Sequence, residues 1–206
     1  MAYLALTEMR RIECDGYIFP KDYYDIPGVD NYQDLKAVKQ YTLKKMERYR
    51  GKKVDICLNG GMTVETLTVI RVAAELDIEL TLWHYDREKE NYINQKVGWK
   101  PVHISNADEE LPVTVDLCKG RHWSSAERAI FDTIPVKRMF DFQWQEEQAG
   151  EFLGSFRDKK ISIYLSGLTS AVVSVLNVAT RENISVTWLH YDYDSETYFP
   201  QHMDEV

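Results

Sequence analysis

The pattern of apolar and polar positions is read twice along this chain. Segments 54–58 (Val-Asp-Ile-Cys-Leu) and 161–165 (Ile-Ser-Ile-Tyr-Leu) are short and apolar at alternate positions, and each stops at a glycine-bearing turn, which predicts strands. Runs of helical length follow, with Thr63 and Thr169 standing where an N-cap belongs. The second run, 171–179, is rich in β-branched residues and taken alone reads as a strand. Its counterpart, 64–76, is a better helix former, and duplicated segments share a fold, so both are predicted as helices. Segments 78–83 and 184–189 complete each unit as strands, and two strands joined through a helix are expected to be parallel neighbours. Upstream, apolar residues at Leu35, Val38, Thr42, Leu43 and Met46 predict a helix within 31–49, matched by 143–156. Segments 2–6 and 113–118 read as first strands, and the aromatic stretch 17–26 as loop or hairpin.

Sliding the sequence along itself by 106 residues aligns 61–95 with 167–201, and 13 of the 35 pairs are identical, where chance gives about two. The identities include Gly61/Gly167, Thr63/Thr169, the triplets His84-Tyr85-Asp86 and His190-Tyr191-Asp192, Tyr92/Tyr198 and Gln95/Gln201. The period is too long for a solenoid unit and suits a duplicated small domain. The expected fold class is therefore α/β, with tandem duplicated Rossmann-like units of mainly parallel sheet, 1–100 and 101–206, related by pseudo-two-fold symmetry.

Composition narrows the function classes. The 206 residues are 44% hydrophobic and 28% charged, enough for a real core and unlike disordered or collagenous chains. No apolar run approaches the roughly 20 residues of a membrane span, and the N-terminal segment is too short and too soon acidic for a signal peptide; a cytoplasmic location is expected. Cys14, Cys57 and Cys118 are widely spaced and odd in number, so no disulfide framework or zinc knuckle is expected. A net charge of −8 argues against general affinity for duplex DNA or an anionic membrane. An anionic ligand must then be gripped locally, and the run 36–53, with eight cations against Glu47, is the one strongly basic stretch. Such a run is commonly a solvated helix face, or it supplies that local field.

Ligands of open α/β sheets bind outside the carboxyl ends of the parallel strands. That rule selects Asn59, Gly60, Gly61 and Thr63 with Tyr85 and Asp86 in the first repeat, and Ser166, Gly167 and Thr169 with Tyr191 and Asp192 in the second. Glycine permits close backbone approach, and a helix start offers free N–H groups to an anion; the plainer alternative is a tight turn inherited by both copies. His84 and His190 are the candidate proton carriers, or else hold structure through a hydrogen bond. Trp83, Tyr85 and Tyr191 are candidates for stacking on a base. No metal site is expected, because no further His or Cys stands at ligand spacing.

In its strand, Gly-Gly-x-Thr loop and helix, carried by Asn59, Gly60, Gly61 and Thr63 and by Ser166, Gly167 and Thr169, the sequence resembles the CARF family, the CRISPR-associated Rossmann-fold sensors of cyclic oligoadenylates in antiviral defence. Those sensors place two copies of the domain about a two-fold axis; this chain would carry both in tandem. The resemblance implies a nucleotide second messenger, a cyclic oligoadenylate, bound in a cleft between the repeats, with no cofactor. An alternative is a metal-independent ring nuclease in which His84 and His190 move protons; another is a partner-binding module without ligand. A homo-oligomer is compatible with each. The loops also resemble those of PP-loop ATP pyrophosphatases, but both lack that motif's Asp, so an adenylating enzyme is not expected.

Overall fold

In the computed structural model, which describes residues 1–7, 14–20, 33–58, 63–104, 112–120, 124–166 and 168–204, strand β1 (Ala2–Thr7) and strand β2 (Tyr17–Phe19) precede helix α1 (Leu35–Met46), strand β3 (Lys53–Cys57), helix α2 (Thr63–Glu75), strand β4 (Glu79–Asp86) and strand β5 (Asn91–Lys96). The second half repeats the series as β6 (Val113–Cys118), β7 (Ala129–Phe131), α3 (Phe142–Leu153), β8 (Lys160–Tyr164), α4 (Thr169–Arg181), β9 (Ser185–Asp192) and β10 (Thr197–His202). These are two compact units, Met1–Val97 and Gly98–Val206. Their sheets have strand orders β2-β1-β3-β4-β5 and, read from the opposite edge, β7-β6-β8-β9-β10. Element for element the two orders are the same. Four strands of each sheet are parallel and the last, β5 or β10, is antiparallel. The fold is thus a tandem of α/β units with mainly parallel, Rossmann-like sheets.

The duplication is visible in details that residue identity hides. Backbone in the left-handed region recurs at matched positions: Gly51 and Asp158 ahead of β3 and β8, Asp77 and Asn183 after α2 and α4, and Glu90 and Glu196 in the last turn of each unit. At Asp77 and Asn183 this conformation ends the helix, and the next N–H returns to a helix carbonyl, Ile78 to Ala73 and Ile184 to Ala179, both at 2.8 Å. Asp34 and Asp141 cap α1 and α3, accepting from Ala37 N–H at 3.0 Å and Trp144 N–H at 3.1 Å.

Helix α1 touches α2, and α3 touches α4, so each pair lies on one face of its sheet. Cross-strand partners point to the same side. Val54, Ile56, Leu80 and Leu82, and in unit 2 Ile161, Ile163, Val186 and Trp188, are buried on that side. The β-branched segment 171–179 is helical after all: its residues except Asn177 are buried, and packing against α3 and the sheet outweighs its strand propensity.

The structure corrects several expectations. Tyr17–Phe19 is a strand parallel to β1 rather than a hairpin, while 21–26 lie outside the described residues. Thr169 is the first helical residue of α4; the N-cap is Leu168, which makes no side-chain cap, and Thr63 likewise lies inside α2. The two His-Tyr-Asp triplets do not follow their strands but lie within β4 and β9, because β5 and β10 extend the pairing to Asp86 and Asp192.

Candidate functional site

The strand order places the chemistry. From β1 the chain moves outward to β2 and then returns past β1 to β3, so the order reverses between β1 and β3, and in unit 2 between β6 and β8. At such a switch point neighbouring connections leave in opposite directions and open a crevice at the carboxyl ends. In unit 1 that edge holds the end of β1, Leu58 and the start of α2; in unit 2 it holds Cys118, Tyr164 to Ser166 and the start of α4. Asn59, Gly60, Gly61 and Gly167 lie outside the described residues.

Ser166 sits on the unit 2 crevice itself. Its hydroxyl accepts from Cys118 N–H and donates to Cys118 C=O, both at 3.2 Å, tying the ends of β6 and β8 together. It is 2% exposed. Behind it, a buried polar network holds the first turn of α4. Gln145 Nε2 donates to the carbonyls of Met139 (2.8 Å) and Arg138 (3.1 Å), Ser174 Oγ donates to Gln145 Oε1 (3.1 Å), and Ser170 Oγ donates to Met139 C=O (2.9 Å). Thr169 is half-buried at the head of the helix, next to a Leu168 N-cap without side-chain capping. Backbone N–H groups at such a helix start suit an anion. Gln145 was missed from sequence because its unit 1 counterpart is Val38, and a lone Gln on an apolar helix stripe carries no motif.

Both triplets are hairpin parts. His84 and His190 point to the helix-covered side, are each 6% exposed, and donate from Nε2 to Gln95 Oε1 and Gln201 Oε1, both at 2.8 Å. Burial pushes each imidazole down to about 4, against the glutamine bond, which raises it. At neutral pH both rings are uncharged. Asp86 Oδ1 accepts from Glu88 N–H at 3.0 Å and Lys89 N–H at 3.3 Å, and Asp192 Oδ2 accepts from Ser195 N–H at 3.1 Å and from its hydroxyl, so each carboxylate closes the turn of its own hairpin. The retained Gln95/Gln201 and Tyr92/Tyr198 identities are the other halves of these contacts.

The tyrosines differ from their flanking residues. Tyr85 stands opposite Tyr92 and Tyr191 opposite Tyr198 in register, each pair with ring centroids 5.1 Å apart on the sheet face away from the helices. Trp83 shares that face, meeting the ring of Tyr3 edge-on at 6.5 Å. Burial pushes the Cys57 thiol up, the Tyr92 and Tyr3 hydroxyls acting in the opposite direction, and Tyr3 is raised chiefly by burial. In unit 2 Tyr164 packs edge-on against Tyr198 at 4.5 Å, and its hydroxyl lies 3.0 Å from Ser125 Oγ.

The basic run does not serve the carboxyl edge. Helix α1 returns antiparallel to the strands, so 44–53 gather at the amino edge, where β3 begins; five residues of β3 at about 3.3 Å each put them on the order of 15 Å away, beyond the screening length in salt. Lys39 pairs with Glu75 at 2.9 Å, Lys53 with Glu79 at 2.9 Å and Arg50 with Glu47 at 3.0 Å. Lys45 lies over the rings of Tyr41 and Tyr17, and Arg48 over Tyr49. Among the described cations at the carboxyl edge are Lys119, which follows β6 and lies 3.8 Å from Asp132, and Lys89 in the β4–β5 turn, 3.5 Å from Asp86. Among the described residues, no helix is long and apolar enough to cross a membrane and no cluster of three or more His, Cys, Asp or Glu is placed to hold a metal.

Fold and switch-point geometry together define an open α/β architecture with a crevice at the carboxyl ends of its parallel strands, in two copies. No protein-family model matches the chain, and no curated protein matches it significantly. Solved structures do. The Acinetobacter baumannii Cap4 SAVED/CARF-domain containing receptor with the cyclic trinucleotide 3′3′3′-cAAA shares the fold over 98% of this chain and 51% of its own, at a TM-score of 0.51 and 11% identity. The Moraxella osloensis Cap4 SAVED/CARF-domain containing receptor matches over 98% and 49%, at a TM-score of 0.50 and 11% identity. The A. baumannii receptor with 2′3′3′-cAAA matches over 97% and 50%, at a TM-score of 0.50 and 11% identity. The chain has a CARF-like fold and spans about half the length of these receptors.

Proposed function

We propose that this protein binds a cyclic oligonucleotide, specifically a cyclic oligoadenylate, at the carboxyl edges of its sheets, and acts as a sensor rather than as an enzyme. The observation that carries the reading is the coincidence, in both units, of the switch-point crevice with a helix start, on a fold shared over 98% of the chain with a receptor solved with 3′3′3′-cAAA. Asn59, Gly60, Gly61 and Thr63 in unit 1 and Gly167 and Thr169 in unit 2 are the proposed phosphate-side contacts, with Ser166, buried and bonded to Cys118, holding the crevice behind them. Backbone N–H groups and hydroxyls supply the grip, which suits a protein whose net charge of −8 would repel polyanions in general.

Binding without cleavage is favoured by the placement of the imidazoles. A proton carrier must reach the reacting atoms within hydrogen-bond distance, and both rings are buried on the helix side, engaged with glutamines. The test is a thermal-shift series against cyclic tri-, tetra- and hexaadenylate and their linear counterparts. A ligand at a hundred times its dissociation constant stabilises the native state by about 2.7 kcal/mol, which moves the melting temperature by several degrees. Shifts confined to one cyclic ring size are expected; no shift with any of them would overturn the reading. Linear products ending in cyclic phosphate, formed in EDTA, would establish the ring-nuclease alternative.

A further inference from the structure

We propose that Tyr85 and Tyr191 are the nucleobase-stacking residues for that ligand, that Tyr92 and Tyr198 are positioning residues holding their rings, and that the stacking contribution itself favours purines over pyrimidines. The proposal rests on the reading of the protein as a cyclic-oligonucleotide sensor. Its starting point is the division of labour inside each triplet. His84 and His190 anchor β4 and β9 to β5 and β10 through Gln95 and Gln201, and Asp86 and Asp192 close the turns. The tyrosine between them does neither; it points to the opposite face, and Tyr85 is 37% exposed. A hairpin needs only a strand-forming residue there, yet both copies have tyrosine with tyrosine opposite.

Position agrees with this. Leu58 N–H donates to Trp83 C=O at 2.9 Å and Leu165 N–H to Leu189 C=O at 2.9 Å, so Trp83 and Leu189 are level with the ends of β3 and β8. Tyr85 and Tyr191 stand two residues further, past the carboxyl ends of β3 and β8, on the sheet face away from the helices. Their partners are paired in turn: Tyr92 stands opposite Tyr85 in register, and Tyr198 is held edge-on by Tyr164 at 4.5 Å. Tyr193, 73% exposed and at 90° to Tyr191 with centroids 4.9 Å apart, extends the unit 2 surface and has Arg87 as its counterpart in unit 1. Tyr85 is partly exposed and Tyr191 half-buried, and a ring held on a paired strand loses little freedom on stacking. Stacking reads the area of a base rather than its hydrogen-bonding edge, so it discriminates purine from pyrimidine and hardly adenine from guanine.

The experiment measures binding of 3′,3′,3′-cyclic triadenylate, triguanylate and triuridylate, or their homologues of whichever ring size the thermal-shift series selects, to the full chain and to its Tyr85→Leu, Tyr191→Leu, double Leu and double Phe variants, by calorimetry, with melting temperatures and size-exclusion profiles recorded alongside. Each Leu substitution should weaken triadenylate binding by roughly 5- to 100-fold while the melting temperature stays within a few degrees. The double Phe variant should bind as the parent does, and the Leu substitutions should cost triadenylate and any bound triguanylate similar factors and triuridylate less. Nitration of Tyr85 and Tyr191 in the unmodified chain, mapped by mass spectrometry, should fall when triadenylate is added, which tests the contact even if a Leu variant folds poorly. If the parent binds triadenylate and the Leu variants bind it equally, stacking is refuted and the sensor reading stands. A changed oligomeric state at unchanged affinity would make the tyrosines a protein contact, refuting stacking as well. If the parent binds no cyclic oligonucleotide, both readings fall together.

Discussion

Lowering the pH from 7 to 5 should destabilise each unit through one buried imidazole. His84 and His190 have native values near 4, against an ordinary value near 6.5 in the unfolded chain. Between those values the unfolded state binds the proton and the native state does not, so stability is full above about 6.5 and is lost progressively as pH falls towards 4. Linkage over the whole gap amounts to about 3 kcal/mol per ring, of which about 2 kcal/mol is already lost at pH 5, where ordinary carboxylates remain mostly ionised. With a urea m-value of about 2 kcal/mol/M, that lowers the unfolding midpoint of each unit by about 1 M. The assay is urea unfolding at pH 7, 6 and 5 by tryptophan fluorescence, for the parent and for His84→Gln with His190→Gln. Glutamine keeps an N–H near the position of Nε2 and so a donor for Gln95 and Gln201, while removing the titrating ring. The variant should be less stable at pH 7 but should show a much flatter response down to pH 5. A parent whose midpoint does not move between pH 7 and 5, or a variant as acid-sensitive as the parent, would refute the reasoning that these imidazoles are buried and neutral.

Ser166→Ala should cost about 1–3 kcal/mol in unit 2, because it leaves Cys118 N–H and C=O without their shared partner in a buried site; chemical denaturation checks this. Gln145→Leu should destabilise unit 2 by about 2–4 kcal/mol, since the carbonyls of Arg138 and Met139 and the Ser174 hydroxyl lose a common partner, and hydrogen exchange should rise at the start of α4. Gly167→Val should weaken cyclic-oligonucleotide binding more than it lowers the melting temperature, measured side by side; lost stability at unchanged affinity would favour an inherited turn. Asp192→Ala should loosen the β9–β10 turn by about 1 kcal/mol and leave β8 and α4 as protected from exchange as before.

The order of elements was legible in the sequence because it depends on short-range period and on comparison of two copies. Alternating residues at 54–58 and 161–165 marked β3 and β8, and the better helix former at 64–76 assigned a helix to 171–179, which its β-branched composition alone would have made a strand. The sites most dependent on tertiary pairing were not legible. Strand β5 is polar and largely exposed and β10 is interrupted by Pro200, so no hydrophobic alternation announced them, and without them His84-Tyr85-Asp86 reads as a loop at a strand end. Once paired, alternation sends His and Asp into the helix-covered side and Tyr out of it, and the three residues acquire three different roles. The basic run shows the same limit. Its charge was plain from composition, but only the return of α1 along the sheet decided that residues 44–53 lie at the amino edge, where ion pairs and tyrosine rings engage most of them. Composition and repetition thus determined the architecture, whereas the chemistry available at each residue was set by which neighbours distant strands and helices brought against it.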